Sequence, residues 1–213
     1  MTKPTKQRFV LAVTAAALLF SSCSASTKSP ASDDAEKPAE PTGPPQPVTA
    51  KTALWPMYTS ARSWTTDCVI VRIASKELTG INNDAGKAGM WEMTFVSPSR
   101  NEYRIYSYAV AANPPAPYKG VSMSAPLPWS GFTRDVMPFT TSDISIDSDS
   151  AYNTAAAQAG IWLKKHPDKK LSTFELGNAY KFGAPVWVLT WGDNKSGYRV
   201  FVNASTGKIV NKK

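Results

Sequence analysis

The chain has 213 residues, 17 of them proline; it is 42% hydrophobic and carries a formal net charge of +8 at pH 7. That length allows one or two small domains. With one histidine and two cysteines far apart in the chain, no Cys or His pair at ligand spacing points to zinc, and any Ser-His-Asp triad would depend entirely on His166.

The chain opens on "MTKPTKQR", a basic stretch without acids, followed by "FVLAVTAAALLF" and then "SSCS". The apolar run is too short for a ~30 Å hydrocarbon core, which takes about 20 residues. This order is that of an export signal and not of a membrane anchor. The leader, residues 1–22, resembles that of bacterial lipoproteins, with Cys23 in the place of the lipidated residue. Phe20 departs from the pattern, which usually carries Leu there. The resemblance implies a diacylglycerol on Cys23, palmitate-type acyl chains and a membrane partner. Ser24 in place of Asp implies the outer membrane, facing the periplasm. The alternative is cleavage after Ala25 and a soluble secreted protein. Residues 23–50 are rich in Pro, Ser, Ala and charge, a composition that predicts a disordered tether.

The folded part is expected from residue 51. A short helix is predicted around "ALWPMYTSARSW", with Pro56 tolerable only near its first turn. Strands follow at "CVIVRIA", "GMWEMTFV" and "EYRIYSYAV", with "SPSRN" turning between the last two. Cys68 reads as a buried strand residue. Residues 113–146, Pro-rich but carrying Tyr118, Trp129, Phe132 and Phe139, read as an ordered connector. The clearest helix covers 147–166: Asp147 or Ser148 caps it, Ala151, Ala155, Ala159 and Trp162 share one face, and Pro167 ends it. "KLSTFEL", "PVWVLTWG" and "YRVFVNA" are again strands, turned by "GDNKSG" and "ASTG".

Both halves therefore read helix, strand, strand, strand. Trp91 aligns with Trp187, Thr94 with Thr190, Phe95 with Trp191, Tyr103 with Tyr198 and Arg104 with Arg199. The predicted fold is α+β: two repeated units, 51–112 and 147–213, each with one helix on a three- to four-stranded antiparallel sheet. The end of the chain resembles the last strands of PepSY-type domains, on Tyr198, Val200, Val202, Ala204, Thr206, Gly207 and Ile209. The resemblance covers roughly residues 147–210. It implies a PepSY- or cystatin-like helix-on-sheet module and, through the family's proposed role in restraining peptidases, a peptidase as one kind of partner.

Chemistry is sparse. His166 sits in the wet stretch "KKHPDKK", and "STGK" lies in a turn between strands. Asp143, Asp147 and Asp149 lack the glycine and closing glutamate of a calcium loop. No phosphate loop and no alternation of aromatic and basic residues occurs, so neither nucleic acid, metal nor cofactor is expected. The aromatic pairs Trp91/Phe95 and Trp187/Trp191 each face one side of a strand. They form either a core or, with Tyr118 and Trp129, a groove for a peptide or glycan. Arg104 and Arg199 read as outward cross-strand partners of Glu92 and its neighbours. The sequence thus predicts a non-enzymatic envelope lipoprotein that binds a protein partner by a sheet edge or an aromatic groove. A small-ligand or glycan binder is the alternative.

Overall fold

The computed structural model describes residues 43–193 and 195–210. The elements run α1 (Ala50–Trp64), β1 (Val69–Lys76), β2 (Met90–Ser97), β3 (Glu102–Ala109), β4 (Gly120–Met123), β5 (Leu127–Pro128), α2 (Ser148–Lys165), β6 (Leu171–Gly177), β7 (Val186–Trp191) and β8 (Tyr198–Asn203). Short 3-10 turns stand at Thr141–Asp143 and Tyr180–Phe182. The fold reaches back into the expected tether, because Val48 pairs with Ala88 and Thr49 is the N-cap of α1. Pro56 lies well inside α1 and not in its first turn. Pro56 and Thr52 are both exposed, so water can reach the Thr52 carbonyl that the proline leaves without an amide.

The two predicted units are one sheet. All eight strands pair antiparallel in the order β4-β3-β2-β1-β6-β7-β8, with β5 on β3 beside β4. The join is β1 with β6, where Arg72, Ile73 and Ala74 face Gly177, Leu176 and Glu175. Separate sheets would leave both strands with a row of unpaired amides and carbonyls, and pairing them removes two edges at once. Directly opposed residues share a face. One row therefore runs Tyr106, Met93, Ile73, Leu176, Trp187, Val202 across six strands. Every member is buried, and all belong to the core that α1 and α2 cover. That core, shared by both halves, is the correction to the expected fold; a smaller cluster of Leu78, Met90, Ala109, Val110 and Ala116 lies apart from it.

α2 behaves as its sequence predicts: Ala151, Ala155 and Ala159 are fully buried and let the helix lie close on β7 and β8. The two helices share their caps. Of the first amides of α1, Ala50 donates to Ser148 Oγ (2.9 Å), Lys51 to Asp147 Oδ1 (3.0 Å) and Thr52 to Thr49 Oγ1 (3.4 Å). Asp147 Oδ1 also accepts from Ser148 N at the start of α2 (2.7 Å). One carboxylate thus serves two helix N-termini, where orphan amides and the dipole both favour negative charge. The two core tryptophans pin the entry to each helix: Trp91 Nε1 donates to Val48 O (2.9 Å) and Trp187 Nε1 to Ile146 O (3.0 Å).

The segment between β3 and α2 is ordered and crosses the junction. Met137 N donates to Asn178 O (2.9 Å), and Phe139 bridges Ile70 where β6 has ended. Opposite the helices, this segment and the turn at 180–182 rise above the sheet and leave a hollow between them.

Candidate functional site

The strand positions that point away from the core supply the floor of this hollow. Alternation along "VIVR" and "FELG" puts Arg72 and Glu175 there, next to Thr94, Val186, Val188 and Phe201. Arg72 Nη2 and Nε both donate to Glu175 Oε2, at 2.6 and 3.0 Å. The pair is partly exposed, with 48% and 31% of its side chains accessible, so it contributes at most about 1 kcal/mol. Its effect is to hold the guanidinium beside Glu175 through two nitrogens.

Trp129, Asp135 and Val136 form one wall, and Lys181 and Phe182 the other. Both walls are anchored by backbone bonds. Trp129 N donates to Asn101 O (2.8 Å), and Tyr180 N donates to Arg134 O (2.8 Å). Asn178 Nδ2 ties in Pro138 O (3.0 Å). Gly183, at φ +69°, ends the 180–182 turn in a left-handed conformation that side chains disfavour. The Trp129 ring stands edge-on between Tyr103 (5.9 Å) and Phe132 (5.6 Å), and its indole nitrogen is buried without a partner among the described residues. The enclosed volume is about 500 Å³. That lies in the ~300–1,000 Å³ range of ligand sites, which combine apolar walls with a few fixed polar groups.

The predicted groove residues separate. Trp91, Phe95 and Trp187 are fully buried, with Trp91 and Trp187 edge to face at 6.5 Å. They are core, because the single sheet turns their face under the helices, and they cannot line an open groove. Trp191 is 3% exposed and packs on Tyr152 (6.3 Å) at the base of a different cleft. Tyr118 is 65% exposed and stands outside the hollow. Of the six, Trp129 alone is in its wall. Cys23 lies outside the described residues.

The matched arginines also separate. Arg104 opposes Phe95 on the helix side and stacks over Trp64 at 4.9 Å, whereas Arg199 opposes Thr190 on the other face and donates to its Oγ1 (3.0 Å). Register equates Arg104 with Tyr198, which opposes Trp191. The sequence match is off by one residue in the last strands, and one residue reverses the face. Glu92 is instead paired with Lys76 at 2.8 Å.

Other reactive side chains have structural surroundings. His166 follows the last turn of α2, 4.4 Å from the Trp162 ring. Burial pushes the Cys68 thiol up from its ordinary value. Hydrogen bonds from the Thr65 hydroxyl, the Ser99 amide and the Ser97 hydroxyl hold the Asp67 carboxyl well below the usual carboxylate range. They brace the start of β1 against the β2–β3 turn. Asp193 is lowered to about 2 by the Ser196 hydroxyl and the amides of Ser196 and Lys195, within the β7–β8 turn. Among the described residues no group of three or more His, Cys, Asp or Glu could hold a metal ion, and no helix is long and apolar enough to cross a membrane.

No family model matches the chain, and no curated protein matches it. The resemblance to PepSY-type domains therefore rests on the residues named for it. Among solved structures, a protein described as a "putative lipoprotein" from Clostridium difficile 630 is similar at TM-score 0.46 and 12% identity, over 73% of this chain and 88% of that one. A likeness of that size leaves the function to be read from this chain's own residues.

Proposed function

We propose that this chain is an exported, lipid-anchored, non-catalytic binding module of the bacterial envelope, tethered through Cys23. It holds an apolar side chain or short segment of a protein partner in the hollow opposite the helices. One observation carries the reading: a cavity of about 500 Å³ that joins aromatic and aliphatic walls to a fixed guanidinium–carboxylate pair. Such a site offers shape, apolar area and two oriented charges, which is what recognition of a partner side chain uses. The tether would confine the module near the membrane, since each buried acyl CH₂ contributes about 0.8 kcal/mol and paired chains anchor stably. A peptidase partner remains what the PepSY-type resemblance implies.

A photo-crosslinking amino acid placed at Val136, which is partly exposed at the rim, tests the reading in intact cells. The expected result is a discrete adduct with an envelope protein, lost when Val188→Glu places a charge in the cavity. With Cys23→Ala the protein should leave the membrane fraction and the adduct should weaken. A folded protein that gives no adduct, or one indifferent to Val188→Glu, removes this site from consideration.

A further inference from the structure

A second hollow lies where β1 and β6 part. Their pairing spans three residues, and beyond Ala74 and Glu175 the strands splay. The β1–β2 loop, 77–87, forms one wall of the opening and residues 169–173 the other, enclosing about 1,180 Å³. Tyr152, Phe174 and Trp191 close its base. Trp191 is nearly buried, yet its indole N–H has no hydrogen-bond partner among the described residues and is not sealed from solvent.

The loop is a fixed wall. Asn83 bonds Lys76 O through Nδ2 (3.1 Å) and Gly89 N through Oδ1 (3.1 Å). Thr79 N donates to Pro114 O (2.9 Å), and Asp84 and Lys87 bond each other's backbone (3.0 and 2.7 Å). Gly86, at φ +80°, lies so close to α2 that a Cβ there would be 2.4 Å from Ser148 O. On this fixed frame the side chains of Asn82, Asp84, Lys87 and Lys170 make no hydrogen bond or ion pair among the described residues. Both signs of charge and a neutral amide are therefore left free at one rim, above a base that is aromatic but carries a donor.

We infer that this cleft is a carbohydrate site that takes a neutral oligosaccharide. A sugar hydroxyl both donates and accepts, which suits a rim of uncommitted donors and acceptors, while the apolar face of a sugar ring suits Tyr152, the member of the aromatic base that is not buried. The balance of Asp84 and Glu77 against Lys87, Lys169 and Lys170 disfavours a polyanion. Because the loop is already held, little ordering entropy is lost on binding. This site is separate from the cavity of the proposed function and stands or falls apart from it.

The test is an amide and indole NMR titration of the mature protein with maltotetraose, cellotetraose and chitotetraose, each to about 10 mM, with inorganic polyphosphate as the anionic comparison. Saturable shifts of the Trp191 indole N–H and of amides in 77–87 and 169–173 are expected with at least one sugar. Asn82→Ala, at an exposed position, should weaken that binding about fivefold through one lost hydrogen bond while leaving the remaining spectrum in place. Absence of saturable shifts with all three sugars overturns the inference, as do shifts confined to the cavity around Trp129. Tighter binding of polyphosphate at the same residues would make the cleft an anion site and overturn it too. None of these outcomes bears on the crosslink from Val136.

Discussion

Replacing Asp147 perturbs the point at which two helices and the sheet meet. Its Oδ1 accepts from Ser148 N at 2.7 Å and from Lys51 N at 3.0 Å, so Asp147→Ala strips an acceptor from the first turns of α2 and α1 together. A lost N-cap costs about 1 kcal/mol, and a carboxylate near a helix N-terminus contributes about 0.3–1 kcal/mol more. α2 loses its N-cap, and α1, whose own N-cap Thr49 stays, loses one acceptor and the nearby charge, for a total of about 2–4 kcal/mol. For a domain of this size that corresponds to a Tm lower by about 5–15 °C. Asp147→Asn keeps an oxygen acceptor and loses the charge, so its cost should be about 1 kcal/mol. Ser148→Ala, which leaves the buried Ala50 amide unpaired, should cost about 1–3 kcal/mol. Urea unfolding of the mature protein at pH 7, with the double variant to complete the cycle, reads all four values. In about 1 M salt the gap between wild type and Asp147→Asn should shrink, while the gap between Asn and Ala should persist. An Asp147→Ala protein within about 0.5 kcal/mol of wild type would refute the shared cap. Equal losses for Asn and Ala would show that charge alone, and not the two hydrogen bonds, is at work.

Trp187→Ala should cost about 3–5 kcal/mol in urea unfolding, and Trp187→Phe clearly less, because both lose the bond to Ile146 O but Phe keeps much of the buried ring; equal losses would contradict the packing of that ring in the core. For Asp67 the folded carboxyl is held below its ordinary value of 3.8, so as pH falls the unfolded chain takes up the proton first. Its stabilisation is then fully present above about pH 4–5 and is lost as the pH falls through the lower folded value. Asp67→Asn should therefore flatten the acid limb of Tm against pH, and an unchanged limb would remove Asp67 from the account of acid sensitivity.

Local order was legible wherever one short stretch carries its own signal. α2 is the plainest case: a capping aspartate, alanines four apart and lysines before a proline gave its span, its cap and its buried face. The strands were legible from alternation, and the 203–207 turn from its chemistry. There Asn203 Oδ1 takes the amides of Ser205 and Thr206, and Gly207 sits at φ +71°. The segment 113–146, read as a connector, supplies β4 and β5 to the sheet, and its short apolar stretches carry no alternation that would have shown this. Pro56 shows the limit of local rules, because a helix packed on a sheet can carry a proline that an isolated one would reject.

The site was less legible. Trp91, Phe95 and Trp187 drew the reading toward a groove because large aromatics mark cores and binding surfaces equally well. The residues that do line the cavity, Arg72, Glu175, Val188 and Phe201, are ordinary outward positions on their strands. They gain meaning because the chain between β3 and α2 passes over them.

Sequence by itself determined the two helices, the six long strands and the alternation that separates core from surface. Those are properties of neighbours along the chain, set by side-chain period, capping and turn chemistry. Only the tertiary structure decided that β1 and β6 join the halves into one sheet over one core, and that Arg104 and Arg199 face opposite sides. It also decided which strand positions lie beneath the connector. Pairing between strands about 100 positions apart depends on which edges remain unsatisfied once everything else has packed, and no local pattern encodes that.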